Sequence, residues 1–261
     1  MDKNLLISFK EYSAIKHKQP YFYTVESSDQ VLYYFGAEHK KDPNHPQFER
    51  LQNDWNEFLQ KTSGTKSIVV FECNVNITNE IMLKEAIEKY GESGAIVFWA
   101  EQAHIASVRP EPTIKDEAKV LLEDFSRDEI FYFYIIRGIV SWQRATVRKE
   151  FDEFIKLNIK RYEDVLGWSD FDFSFETVKK VHQQIFGREF NLDDKDFLIK
   201  IPNPTCDESR INEVARKSSM IRNIAILDCI ENYWQEGYNI FVVYGASHAV
   251  MQEPVIKSLV P

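Results

Sequence analysis

Residues 31–39 read VLYYFGAEH and residues 239–248 read NIFVVYGASH. Each is a run of β-branched and aromatic residues, the composition of a strand, that stops at glycine and reaches histidine three positions later. A strand closed by glycine at two distant points implies two strands of one sheet, each turning sharply into a loop that carries an imidazole.

Working outward from these runs, PYFYTVE and QVLYYFG at 20–36 are separated by SSDQ, which predicts a hairpin or two successive strands. The stretch QFERLQNDWNEFLQ then places Phe48, Leu51, Trp55, Phe58 and Leu59 on one helical face. SIVVFE at 67–72 is an almost continuous apolar run, expected of a strand covered on both sides in a mainly parallel sheet. A helix follows with Thr78 or Asn79 as its expected N-cap and Gly91 near its end, then GAIVFWAEQAH as further helix. IASVRPEP reads as a short strand stopped by proline. From about 115 to 190 the pattern is helical, and a long helix ending at Gly237 returns the chain to the second quoted strand. Strands alternating with helices imply right-handed crossovers. The expected fold is therefore α/β: a central mixed, mainly parallel sheet flanked by helices, one domain over 1–261 with a helical insertion at 115–195.

The chain has 261 residues, of which 44% are hydrophobic and 14% aromatic, enough for a sizeable core. Its formal net charge is −9 with the cations scattered, so a phosphate backbone is repelled and no nucleic-acid partner is expected. The run IFYFYII at 130–136 stops at Arg137, too short for a bilayer span, so no membrane partner is expected either. Cys73, Cys206 and Cys229 are odd in number and form no C-x-x-C, and the first twenty residues lack the pattern of an export signal. The expectation is a cytoplasmic protein with reduced thiols, Cys73 being a small buried side chain. Phe131, Phe133, Trp142 and Trp168 are expected in the core of the insertion rather than on a pocket wall.

In open α/β sheets ligands bind beyond the carboxyl ends of the strands. Four strands here end near His39, Glu72, Glu111 and His248. Imidazoles and carboxylates converging on one edge suit two chemistries: a divalent metal such as Mn, Co or Zn held by His39, Glu72 and His248, or a histidine oriented by a carboxylate that deprotonates water. Glu38 lies inside the first motif, His45 in the following turn, and Glu92 between glycines that permit close ligand approach. Arg222, on an apolar stretch of the long helix, needs a carboxylate partner or an anionic ligand. His17, His104 and His182 match no motif and are expected at the surface.

The ordered set YFGAEH, VVFEC, VRPEP, an MIRN helix and VVYGASH resembles the TraB/Tiki superfamily, which includes the erythromycin esterase-like proteins. The resemblance spans roughly residues 30–255 and leaves the helical insertion unmatched. It implies His39 and His248 as paired histidines, Glu72 as their acidic partner and Arg222 as the helix arginine, with Glu92 and Glu111 as further matches. It also implies hydrolysis of an ester or amide bond in a small-molecule or peptide substrate, with or without a divalent metal. The reading from another class is a non-catalytic scaffold that holds a small ligand, haem or a metal.

Overall fold

A computed structural model describes residues 1–77, 81–145 and 148–260. The chain divides into two compact units, one formed by Met1–Glu111 with Asn223–Pro261 and the other by Pro112–Arg222. In chain order the first unit carries α1 (Phe9–Ala14), β1 (Tyr21–Glu26), β2 (Val31–Ala37), α2 (Pro46–Lys61), β3 (Ser67–Phe71), α3 (Leu83–Tyr90), α4 (Glu92–Gln102) and β4 (Ala106–Val108). The second carries α5 (Ile114–Leu121), α6 (Arg127–Arg144), α7 (Phe151–Leu166), α8 (Phe175–Phe186) and α9 (Lys195–Lys200). Helix α10 (Arg210–Gln235) begins in the second unit and ends in the first, which β5 (Asn239–Gly245) and α11 (Ala246–Lys257) complete.

The fold is α/β, as expected. The sheet has the order β1-β2-β5-β3-β4; β1 and β2 form an antiparallel hairpin, and the other neighbours are parallel. All four parallel strands therefore end on one edge. Their side chains alternate between two cores. Tyr33, Phe35, Val69, Phe71, Phe241 and Val243 meet α2, α3 and α4, whereas Leu32, Tyr34, Ile68, Val70, Ile240 and Val242 meet the end of α10 and α11. Apolar residues at every strand position are the consequence of having a layer on each face. Asn239 starts β5 by accepting from Val31 N–H at 2.8 Å and donating to Thr65 Oγ1 at 2.8 Å, so one buried amide ties the central strand to both sides.

Registration decides how the two G-x-x-H motifs meet. Gly36 pairs with Tyr244 and Ala37 with Gly245, so the two glycines are offset by one residue and face opposite sides of the sheet. On the side of Gly36, a Cβ would stand 2.8 Å from Ala249 Cβ and 3.0 Å from Ala246 Cα, so glycine lets α11 lie directly on β2. Helix α2 starts as its sequence implies, with Pro46 in the first turn and His45 as N-cap, its Nδ1 accepting from Gln47 N–H at 3.3 Å. The expected caps Thr78 and Asn79 lie outside the described residues; the helix that follows starts at Leu83 after Met82.

Among its described residues the second unit has helices as its only regular elements, and it extends from Pro112 to Arg222 rather than over the expected 115–195. Residues 130–136 are a segment of α6 buried on all sides, and Phe131 and Phe133 lie in this unit's core, with Trp142 and Trp168 partly exposed. His182 is not at the surface. It is buried on α8 at 2.7 Å from the Tyr132 hydroxyl, ringed by Phe186, Phe190 and Phe197, because its spacing to Val178 and Val181 puts it on the inner face. His17 in the first unit is likewise half-buried, against Tyr12 and Tyr21, while His104 is exposed. Among the described residues no helix is long and apolar enough to cross a membrane.

Two predictions follow from this packing. Gly36→Ala forces α11 off β2 and lowers unfolding free energy by about 1–3 kcal/mol, read as a lower denaturant midpoint at unchanged slope. Burial, reinforced by Arg188, holds the His182 imidazole below its ordinary value of 6.5. The unfolded chain then binds a proton that the folded unit refuses, so this contribution is complete above pH 6.5 and is lost as pH falls below it. The pH-dependence of the unfolding midpoint below 6.5 should be shallower in His182→Gln than in the wild type.

Candidate active site

At the carboxyl edge of the sheet the chain leaves β2 through His39 and β3 through Cys73, both non-glycine residues with left-handed backbone, at φ 55° and 72°. Such conformations cost on the order of 1–3 kcal/mol and persist where surrounding contacts demand them. At His39 the demand is visible. The turn folds its imidazole back over the neighbouring strand, where a Cβ on Gly245 would come within 2.4 Å of Nε2. The glycine of the second motif thus makes room for the histidine of the first.

The His39 side chain is 56% exposed and sits between two carboxylates. Its Nδ1 is 2.6 Å from Oε1 of Glu92, whose side chain is only 5% exposed. Its Nε2 is 3.9 Å from Oε2 of Glu72, beyond hydrogen-bond range. Glu92 is the first residue of α4 and Glu72 Oε2 accepts the Gly245 N–H at 2.9 Å where α11 begins, so both carboxylates lie at helix N-termini that favour negative charge. Gly91 allows the close approach: it has φ 63°, and a Cβ there would lie 2.9 Å from the Lys40 carbonyl oxygen. The hydrogen-bonding partner of His39 is therefore Glu92 rather than Glu72. A buried ionised carboxylate is costly unless paired, and the imidazole N–H supplies the pair.

His248 occupies the first turn of α11 and is buried. Its Nδ1 lies 2.7 Å from Asn223 Oδ1, which also accepts from Gln252 Nε2 at 2.7 Å; the Tyr34 hydroxyl donates to Gln252 Oε1 at 2.9 Å. Sequence reasoning did not single out Asn223, Gln252 or Tyr34. The signal available was the i,i+4 spacing of His248 and Gln252, which puts both on one face of a helix, and the asparagine that ends MIRN.

The remaining expected residues are placed as follows. Glu38 accepts no part in the His39 contacts above; its backbone N–H donates to Gln47 Oε1 at 3.0 Å and its carboxylate faces Lys40 and His45 Nε2, each at 3.9 Å. Glu111 lies three residues past β4 with its carboxylate 3.4 Å from Arg109. Arg222 is half-buried on α10 immediately before Asn223 and is the last residue of the second unit. Cys73 is exposed rather than buried, because it follows the strand end where the chain turns outward. Among the described residues no three His, Cys, Asp or Glu side chains come together as a metal-binding group. The expected set His39, Glu72 and His248 does not stand as such a group among the described residues, and no step is assigned to a Mn, Co or Zn ion.

No family model, curated protein or solved structure matches the chain.

Gly245→Ala places a methyl group where His39 Nε2 lies and swings the exposed imidazole off Glu92. The Nδ1–H resonance of His39 in imidazole 1H–15N spectra should disappear, with a smaller loss of stability than Gly36→Ala because the displaced group is a side-chain end. An unaltered resonance would show that the ring does not depend on Gly245.

Proposed function

We propose that this chain is a hydrolase of the TraB/Tiki, erythromycin esterase-like kind, which cleaves an ester or amide bond with a water activated by His39 and no metal. The observation that carries the reading is the contact between His39 and the buried carboxylate of Glu92. A carboxylate on Nδ1 requires a proton there, which makes Nε2 the basic nitrogen. The 3.9 Å between Nε2 and Glu72 Oε2 suits one water that donates a hydrogen to each, with contacts of about 2.8 Å.

In the proposed reaction that water's oxygen bonds to the substrate carbonyl carbon while one of its protons passes to Nε2. The imidazolium so formed is stabilised by Glu92. As the tetrahedral adduct collapses, the carbon–oxygen or carbon–nitrogen bond breaks and Nε2 returns its proton to the leaving alcohol or amine. Glu72, held by the Gly245 N–H, orients the water. The half-exposed ring admits substrate while the buried carboxylate keeps the ring's tautomer. The ordered G-x-x-H, glutamate and G-x-x-H resemblance supports the same assignment.

A panel of p-nitrophenyl esters and aryl amides tests this. Turnover by the wild type should fall by about 10²–10⁴-fold in His39→Ala, less in Glu92→Gln, and should survive a chelator. It should also decline on acidification, since the base must enter the reaction as neutral imidazole. Turnover unaffected by His39→Ala, or none across the panel, would refute the assignment and favour a ligand-binding scaffold.

A further inference from the structure

The turn that carries His39 is fastened from a second element. Glu38, the residue before it, donates its backbone N–H to Oε1 of Gln47 at 3.0 Å, and Gln47 is buried in the first turn of α2. That first turn has its own fastening. Pro46 has no N–H, and the next one along, on Gln47, is accepted by Nδ1 of the N-cap His45 at 3.3 Å. In both bonds the donor is a backbone N–H, so neither polarity can be reversed by turning a side chain over. Nδ1 of His45 is then a lone pair and the neutral ring carries its hydrogen on Nε2, the opposite of His39, whose Nδ1 faces a carboxylate. The common N-cap side chains, Ser, Thr, Asp and Asn, accept through an oxygen. An imidazole accepts only while neutral, because an imidazolium has a hydrogen on both nitrogens.

We propose that His45 and Gln47 are positioning residues for His39: the cap fixes Gln47, Gln47 fixes Glu38, and Glu38 holds the left-handed turn at His39, so the turn is secured only while His45 is neutral. The consequence for catalysis rests on reading His39 as the base; the coupling between cap and turn does not. A φ of 55° at His39 is a conformation that its surroundings must hold, and a bond to the preceding residue acts on it directly. The charged groups around the cap are Glu38, whose carboxylate lies 3.9 Å from His45 Nε2, Lys40, 3.9 Å from the same carboxylate oxygen, Asp42, whose carboxylate accepts from Asn44, and Glu49 in the first turn of α2. Protonation of Nδ1 sets one N–H against another, which opens the cap and loosens the bond from Glu38 to Gln47.

The experiment is 1H–15N spectroscopy of the full chain without substrate. It reads the ring nitrogens of His45, identified by their loss in His45→Asn, and the protection of the Glu38 amide from hydrogen exchange, relative to an unstructured chain, as that ring titrates. The neutral ring should show a protonated Nε2 and an unprotonated Nδ1, and protection at Glu38 should fall as the ring protonates. Gln47→Met keeps the bulk of the side chain, removes the acceptor and should abolish that protection at every pH. His45→Ala should lower it about fivefold at neutral pH, the effect of one lost helix cap. His45→Asn, a cap that does not titrate, should restore it and remove its dependence on ring protonation. In turnover, His45→Ala should lower kcat more than it raises KM, and His45→Asn should recover it. An Nδ1–H signal on neutral His45 overturns the proposal, as does Glu38 protection that is the same in folded His45→Ala as in the wild type. An inactive ester panel leaves the exchange result standing, so the two readings fail separately.

Discussion

The one-residue offset between β2 and β5 is the constraint on which the rest of the first unit depends. In a parallel pair, directly opposed residues share a face, so glycines that occupy equivalent places in the two motifs end on opposite faces when the register slips by one. Each then serves the other motif. Gly36 admits the helix that carries His248, and Gly245 admits the ring of His39. In register, both glycines would open the same face, and one of the two close approaches would be lost.

Charge is distributed by the same geometry. Parallel strands with helices following them put helix N-termini at the carboxyl edge, where carboxylates are stabilised. Glu92 begins α4 and Glu72 accepts the N–H at the start of α11, so the imidazole of His39 lies between two anchored anions. His248 sits one strand away in a neutral amide network. Two histidines from one motif thus meet different neighbours, a carboxylate and an amide.

Much of the fold was legible from local pattern. The β1–β2 hairpin, the doubly covered β3, the amphipathic α2 and the helical run beyond residue 112 each follow from composition and period, because burial on one or two faces imposes a period on the residues that meet it. The set of residues at the sheet edge was legible too, since a parallel sheet brings its strand ends together wherever they lie in the chain. Pairings within that set were not. Glu72 closes an apolar run and drew attention as the partner of His39, whereas Glu92, twenty residues later at the start of a different helix, makes the hydrogen bond. His182 looked polar by its neighbours in sequence, yet α8 turns it into an aromatic core; Cys73 looked buried, yet the chain turns outward at φ 72°.

The sequence by itself determined the α/β class, the two strands that end in G-x-x-H and the edge at which their histidines gather, because these depend on periodicity and on residues adjacent in the chain. Only the tertiary structure decided the register of β2 against β5, the choice of Glu92 over Glu72, and the Tyr34–Gln252–Asn223 chain behind His248. Those are contacts of ångström precision, some between residues more than two hundred positions apart, set by packing and hydrogen-bond satisfaction in a closed space, and no local pattern encodes them.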